Sequence, residues 1–170
     1  GVGKTTIARA VFDKIARQFE HCCFLHNVKE GFLTKNGAVH VQEEFQSRIL
    51  EENHHNLGTL DRGSKMIMER LGQKKVLLVL DDVDKLEQLQ ALAGSLNWFG
   101  RGSRIIITTR DKQLLISHHV DRCYKVKELK SDDGLKLFSW KAFQNDQPPK
   151  DYIELSHNFV NYCKGLPLAL

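Results

Sequence analysis

Two kinds of apolar pattern alternate along the chain. Ile7, Ala8, Val11, Phe12 and Ile15 recur at helical spacing, which predicts a helix over 6–16 with one apolar stripe. Residues 22–28 form a compact apolar stretch and predict a short strand, and 31–39 predict a loop. Val41, Phe45, Ile49 and Leu50 return to helical spacing, and the polar stretch 51–63 ends that helix. A further helix is expected over 64–71, with Ser64 as its N-cap and Gly72 as its C-cap. The pattern then changes. Val76-Leu77-Leu78-Val79-Leu80 is apolar without alternation, as in a strand covered on both faces of a parallel sheet. A helix over 85–93 places Leu86, Leu89 and Leu92 on one side, and 94–102 is a connection. Residues 103–110, with Ile105-Ile106-Ile107, predict a second buried strand; 111–117 a short helix; and 122–126 a weaker, alternating strand. Strands alternating with helices predict an α/β fold, a parallel sheet with helices on both faces.

From Ser131 onward the strand signals stop. Ser131 is placed to cap a helix through Phe143, with Leu135, Leu137, Phe138 and Phe143 apolar. Pro148-Pro149 breaks the chain, and 149–164 reads as another helix, with Ile153, Leu155, Phe159, Val160 and Tyr162 apolar. Gly165 ends it and Pro167 starts whatever follows. The expected domains are therefore an α/β domain over 1–127 and the start of a helical domain over 128–170.

Bulk properties narrow the function only by exclusion. With 170 residues, 41% hydrophobic and 27% charged, the chain has the composition of an ordinary globular protein. Its formal net charge of +4 comes from scattered Lys and Arg, so no nucleic-acid surface is indicated. No apolar run approaches a membrane span, and no signal-peptide pattern opens the chain. The four cysteines form no C-x-x-C, which favours a reducing compartment over a disulfide framework. The vicinal pairs His54-His55 and His118-His119 lack metal-ligand spacing.

The chemistry sits at the ends of the apolar segments. Gly1-Val2-Gly3-Lys4-Thr5-Thr6 matches the second half of a phosphate-binding loop, G-x-x-x-x-G-K-[ST]. In such a loop the glycines let backbone N–H groups turn toward phosphate oxygens, Lys4 reaches the β- and γ-phosphates, and the Thr5 hydroxyl ligates Mg²⁺. A helix starting near Thr5 points its positive end at the same anion. The leading glycine would fall three positions before Gly1, so the motif is cut and the chain reads as a fragment of a longer protein. The loop gains weight from the run 74–80, which ends in Asp81-Asp82. A carboxylate there sits where open α/β sheets bind ligands, so Asp81 is the candidate Walker B acid for Mg²⁺. The alternative is that Asp81 and Asp82 merely start a turn or cap the next helix. Thr108-Thr109-Arg110 ends the second buried strand on the same side of a parallel sheet. Arg110 is placed either to sense a γ-phosphate or to pair with Asp82 or Asp111. Thr34-Lys35-Asn36-Gly37 resembles a guanine-reading motif but has Gly37 in place of its acid, so adenine is the default base.

The segments GVGKTT, KKVLLVLDDVD, GSRIIITTRD, YKVKELKSDDGLKLFSWKAF and GLPLAL, in this order, resemble the nucleotide-binding domain of plant disease-resistance proteins. These are the NB-ARC proteins with leucine-rich repeats, a branch of the signal-transduction ATPases, and the likeness covers essentially the whole chain. Asp84 and the stretch FLHNVKEGF resemble the class that carries an N-terminal Toll/interleukin-1 receptor-like domain. The resemblance implies a P-loop NTPase sheet followed by a truncated helical ARC domain. It implies a molecular switch, off with ADP and on with ATP, in an intracellular immune receptor of the cytoplasm or nucleus. It implies that Gly1, Val2, Gly3, Lys4, Thr5 and Thr6 bind phosphates and Mg²⁺, that Asp81 binds Mg²⁺, and that Asp82 assists hydrolysis. Arg110 would be the sensor arginine, and Pro167 would pack near the adenine. The implied partners are the adenine nucleotide, the flanking Toll/interleukin-1 receptor-like domain and leucine-rich repeats, and further copies on activation, with no nucleic acid or membrane. Hydrolysis is expected to be slow at most, because Asp82 stands where many fast ATPases have glutamate. The competing readings are a turnover ATPase, a non-binding scaffold, and a related signal-transduction ATPase that controls transcription or cell death.

Overall fold

In a computed structural model of the chain, which describes residues 1–50 and 58–170, three strands pair in the order β1-β2-β3. They are β1 (His21–Leu25), β2 (Val76–Val83) and β3 (Arg104–Thr109). Both pairings are parallel, with His21 opposite Val76 and Leu77 opposite Arg104. Parallel neighbours need helical crossovers. Helices α2 (Val28–Gly31), α3 (Gly37–Leu50) and α4 (Leu60–Leu71) lie between β1 and β2 in sequence, and α5 (Leu86–Ala93) between β2 and β3. Helix α1 (Lys4–Ile15) precedes the sheet and α6 (Lys112–Ser117) follows it.

Burial explains why β2 carries no polar alternation. Each residue from Val76 to Leu80 is 0% exposed. Val76, Leu78 and Leu80 pack with Phe45 and Ile49 of α3, Ile67 and Leu71 of α4, and Leu89 and Leu92 of α5. Val79 instead joins Ala8 and Phe12 of α1 with Phe24 of β1. Successive β2 side chains thus meet helices on opposite faces of the sheet, as the continuous apolar run predicts.

The chain forms two compact units, one of residues Ile7–Cys123 and one of Gly1–Thr6 with Tyr124–Leu170. The second is helical, built on α7 (Ser131–Phe143) and α8 (Ile153–Tyr162). Phe138 stacks against Phe159 at 5.0 Å and meets Phe143 edge-on at 6.0 Å between ring centroids. Gly165 has φ +68°, and a Cβ there would stand 2.2 Å from the Leu129 carbonyl oxygen. Only glycine fits that conformation in that space. The contact is used, because the Leu129 N–H donates to the Gly165 carbonyl at 2.8 Å.

Several sequence expectations shift. The strand expected over 122–126 does not form, and 122–130 carry no regular structure. Within 122–126 only Val126 is not exposed, so that stretch has little buried apolar surface with which to add itself to a sheet. Part of the expected 31–39 loop is helical, in α2 and the start of α3. Helix α4 begins at Leu60, capped by Thr59, whose side chain accepts from the Arg62 N–H. Ser64, expected as the cap, lies inside the helix and accepts instead from the Gln42 amide at 3.1 Å. Lys130, not Ser131, holds the N-cap position of α7. The expected helix 149–164 splits into a 3₁₀ turn, Lys150–Tyr152, and α8. The polar stretch 51–63 falls largely on 51–57, outside the described residues.

Candidate functional site

The sheet unit brings Asp81, Asp82, Thr108 and Arg110 together at the C-terminal ends of β2 and β3. Asp81 is 2% exposed and Thr108 7%. The Thr108 hydroxyl donates to Asp81 Oδ1 at 2.6 Å and accepts from the Asp82 N–H at 2.9 Å. The ladder is irregular there. Leu80 stands opposite Ile107, yet Val83 stands opposite Thr109, so β2 spends one extra residue across Asp81-Asp82. Asp82 has φ +54°, in the left-handed region, where Asp and Asn are the least strained of the residues with a Cβ. Parallel bulges are rare, and bulges concentrate beside functional sites because they re-aim a side chain.

Arg110 follows β3 with its side chain 84% exposed, and its Nε lies 4.0 Å from Asp82 Oδ1. Of the alternatives open from sequence, the structure contains this loose pairing with Asp82. The neighbouring Asp111 instead caps α6, accepting from the Gln113 N–H at 2.8 Å. Just past the acids, Asp84 meets Lys29 Nζ at 3.1 Å and accepts from the Gln88 amide at 2.9 Å. Gln88 Oε1 in turn accepts from the backbone N–H groups of Asp84 and Lys85 at the start of α5. Burial works to raise the Asp84 pKa, but hydrogen bonds from Gln88 and Lys29 and the Lys29 charge outweigh it and hold the carboxyl below its ordinary value. Lys29 belongs to the FLHNVKEGF stretch, so two segments singled out in the sequence for the same likeness meet in one ion pair.

The remaining sequence-predicted residues lie in the other unit. Helix α1 starts at Lys4, with Lys4 half-buried and Thr5 and Thr6 exposed. Gly3 has φ +87°, which glycine alone adopts readily, and a Cβ there would lie 3.9 Å from Pro167 Cγ. At Gly1 the corresponding neighbour is Leu168 Cδ2, at 3.7 Å. The glycines of the loop motif, with Val2 between them, therefore adjoin the GLPLAL segment.

Among the described residues no group of three or more His, Cys, Asp or Glu could hold a metal. Mg²⁺, however, is ordinarily held by one or two protein oxygens together with phosphates and water. The Asp81 carboxylate, at the C-terminal end of β2, is an oxygen donor of that kind. Elsewhere, His21 Nδ1 bonds the Ile49 carbonyl at 2.9 Å, a packing role. Burial pushes the Cys23 thiol up to about 12, so it is no nucleophile. Among the described residues no helix is long and apolar enough to cross a membrane.

Thr108 is the site residue that sequence reasoning passed over in favour of Arg110. The available signal was a hydroxyl ending the Ile105-Ile106-Ile107 run, level with the acids that end β2.

The NB-ARC domain family model matches residues 1–148. Disease resistance protein RUN1 of Vitis rotundifolia is 44% identical over 171 residues, covering 100% of this chain and 13% of that protein. TMV resistance protein N of Nicotiana glutinosa is 45% identical over 177 residues, covering 100% of this chain and 15% of that protein. Disease resistance protein RML1B of Arabidopsis thaliana is 38% identical over 174 residues, covering 100% and 17%. The chain thus spans less than a fifth of the length of these relatives. With a phosphate-loop sequence, an acid-ended buried strand and these matches in hand, the chain belongs to the NB-ARC family of nucleotide-binding domains.

Proposed function

We propose that this chain is the adenine-nucleotide switch of a plant disease-resistance receptor, off with ADP and on with ATP. The observation that carries the reading is the pair Asp81 and Asp82 held at the C-terminal end of buried β2, in a member of a nucleotide-binding family that contains Gly3-Lys4-Thr5. The backbone of Gly1, Val2, Gly3 and Thr6 receives phosphate oxygens, and Lys4 reaches the β- and γ-phosphates. Thr5 and Asp81 would hold Mg²⁺, which when bound neutralises phosphate charge. Asp82 orients the attacking water, Arg110 leaves Asp82 to contact a γ-phosphate, and Pro167 packs near the adenine. The domains are 1–127, which binds nucleotide, and 128–170, the start of a helical ARC domain. The partners are a Toll/interleukin-1 receptor-like domain, leucine-rich repeats and further copies on activation, in the cytoplasm or nucleus.

A nucleotide biases two conformations only by binding them with different free energies. Moving a population from mostly off to mostly on takes about 5.5 kcal/mol of differential binding. One γ-phosphate contacted by Lys4, Mg²⁺ and Arg110 supplies interactions of that order, because each is charge-assisted.

Calorimetric titration of ADP, ATP and GDP with Mg²⁺ into the full-length protein tests this. The expected result is tight ADP binding, no GDP binding, and loss of ADP binding in Lys4→Ala. A folded Lys4→Ala protein with wild-type ADP affinity would overturn the phosphate role of Lys4. Steady ATP turnover at roughly 1 s⁻¹ or faster would replace the switch with a working ATPase.

A further inference from the structure

Side chains on a regular strand alternate between faces. Asp81 and Asp82, as neighbours on β2, would then point to opposite sides of the sheet. The extra residue in β2 and the positive φ of Asp82 break that alternation where the strand ends. A left-handed residue in a bulge needs something to hold it, and a buried hydroxyl is placed to do so. Thr108 Oγ1 gives its proton to Asp81 Oδ1 and takes the N–H of Asp82, so one atom ties the carboxylate of the first acid to the backbone of the second. The Asp81 end is buried, where a lost bond is not replaced by water, and the Asp82 end is part-buried. The chain is also pinned downstream. Val83 returns to the ladder opposite Thr109, and the Asp84 N–H is bound by Gln88. Little slack is left between Leu80 and Asp84 except at the bulge itself.

We infer that Thr108 is a positioning residue, whose hydroxyl holds the left-handed bulge at Asp82 and so aims the Asp81 carboxylate, and that Asp82 occupies its position for its backbone conformation as well as its charge. Valine has the shape of threonine but no hydroxyl, so Thr108→Val frees the Asp82 amide and removes one of the bonds that orient the Asp81 carboxylate. Serine keeps the hydroxyl. Thr109 is a neighbouring hydroxyl with a different partner, accepting from the Asp111 N–H at 3.0 Å, and serves as the control. The consequence for ligand binding rests on the proposed function above; the consequence for the backbone does not.

The test uses the full-length protein with two readouts, amide hydrogen exchange at Asp82 and ADP affinity with and without Mg²⁺. Thr108→Val is expected to speed exchange at Asp82 up to about tenfold, the net worth of one neutral hydrogen bond. It is expected to cut the Mg²⁺-dependent gain in ADP affinity about tenfold on the same ground while leaving affinity in EDTA unchanged. Thr108→Ser restores both readouts, and Thr109→Val moves neither. Asp82→Gly, which suits a positive φ, retains more of the Mg²⁺ effect than Asp82→Val. Wild-type exchange at Asp82 in Thr108→Val, or equal losses with and without Mg²⁺, would overturn the positioning role. Equal losses in Asp82→Gly and Asp82→Val would overturn the conformational one. If the wild-type protein binds no adenine nucleotide yet Thr108→Val still frees the Asp82 amide, the hydroxyl clamp stands and the switch reading falls.

Discussion

The sheet unit and the helical unit have similar apolar sequences and bury them very differently. In the sheet unit β2 is covered on both faces, and the core runs unbroken through α3, α4 and α5. In the helical unit only Leu135, Val160 and Cys163 are buried apolar residues, while Trp140, Leu155, Phe159, Tyr162 and Leu168 are exposed. An open recess of about 440 Å³, lined by Phe159, Tyr162, Cys163, Leu166 and Ala169, marks where its apolar side chains fail to close on one another. A central strand brings two helical layers to itself. Two short helices offer each other one stripe apiece and leave the rest unpartnered. Apolar content therefore says which residues can be buried, and topology says which are.

The same truncation in each unit makes the sharpest test. Leu78→Ala, in β2, is expected to cost about 4–5 kcal/mol, because a site walled on both sides cannot collapse around the cavity. Leu135→Ala, in α7, is expected to cost about 2 kcal/mol, the low end for the same chemistry, since few neighbours are lost. Urea unfolding of both variants decides it, and equal costs would break the comparison.

Thiol labelling of the native protein reads the same contrast through local opening. Cys123 is exposed and reacts at once. Cys163 is buried in the helical unit and its Sγ donates to the Ala169 carbonyl at 3.1 Å. Of the two buried thiols it is expected to react first, through opening of that unit, after half-buried Cys22. Cys23 reacts last, being walled into the sheet core with its pKa pushed up to about 12. If Cys23 labels as fast as Cys163, the sheet unit is not the more rigid of the two.

The smallest effect belongs to the rim of the sheet unit. The Asp84 carboxyl titrates below its ordinary value in the folded protein. Its contribution is fully present above the unfolded carboxyl value of about 3.9 and is lost as pH falls through the lower folded value. The Asp84–Lys29 pair is partly exposed, so Asp84→Asn should remove less than about 1 kcal/mol, and only above about pH 4. A loss that persists at pH 3 would mean that the group acts through packing rather than charge.

How much could be read in advance differs between elements for physical reasons. The run Val76–Leu80 announced a two-faced strand because every position was apolar, and Asp81 marked where the apolar run ends. The helix over 37–50 was legible from Val41, Phe45 and Ile49, but Gln42 and Gln46, buried beside them, were not. Their amides bond the Ala91 and Gly63 carbonyls, partners far along the chain. The 122–126 segment alternated correctly and still formed no strand, because pairing requires a neighbour that alternation cannot supply. Thr59 and Ser64 were equally good caps as residue types, and only the contact of Ser64 with Gln42 separated them.

Local periodicity and end chemistry thus determined the order of helices and strands, the two-faced burial of β2, and the candidate residues Lys4, Thr5, Asp81, Asp82 and Arg110. Such signals act over a few residues and survive in the sequence intact. The tertiary structure alone decided that Thr108 joins Asp81 to Asp82 across 27 positions, that Asp82 turns left-handed in a bulge, and that Pro167 adjoins Gly3. Each depends on register or packing between segments distant in sequence, and no local pattern encodes a register.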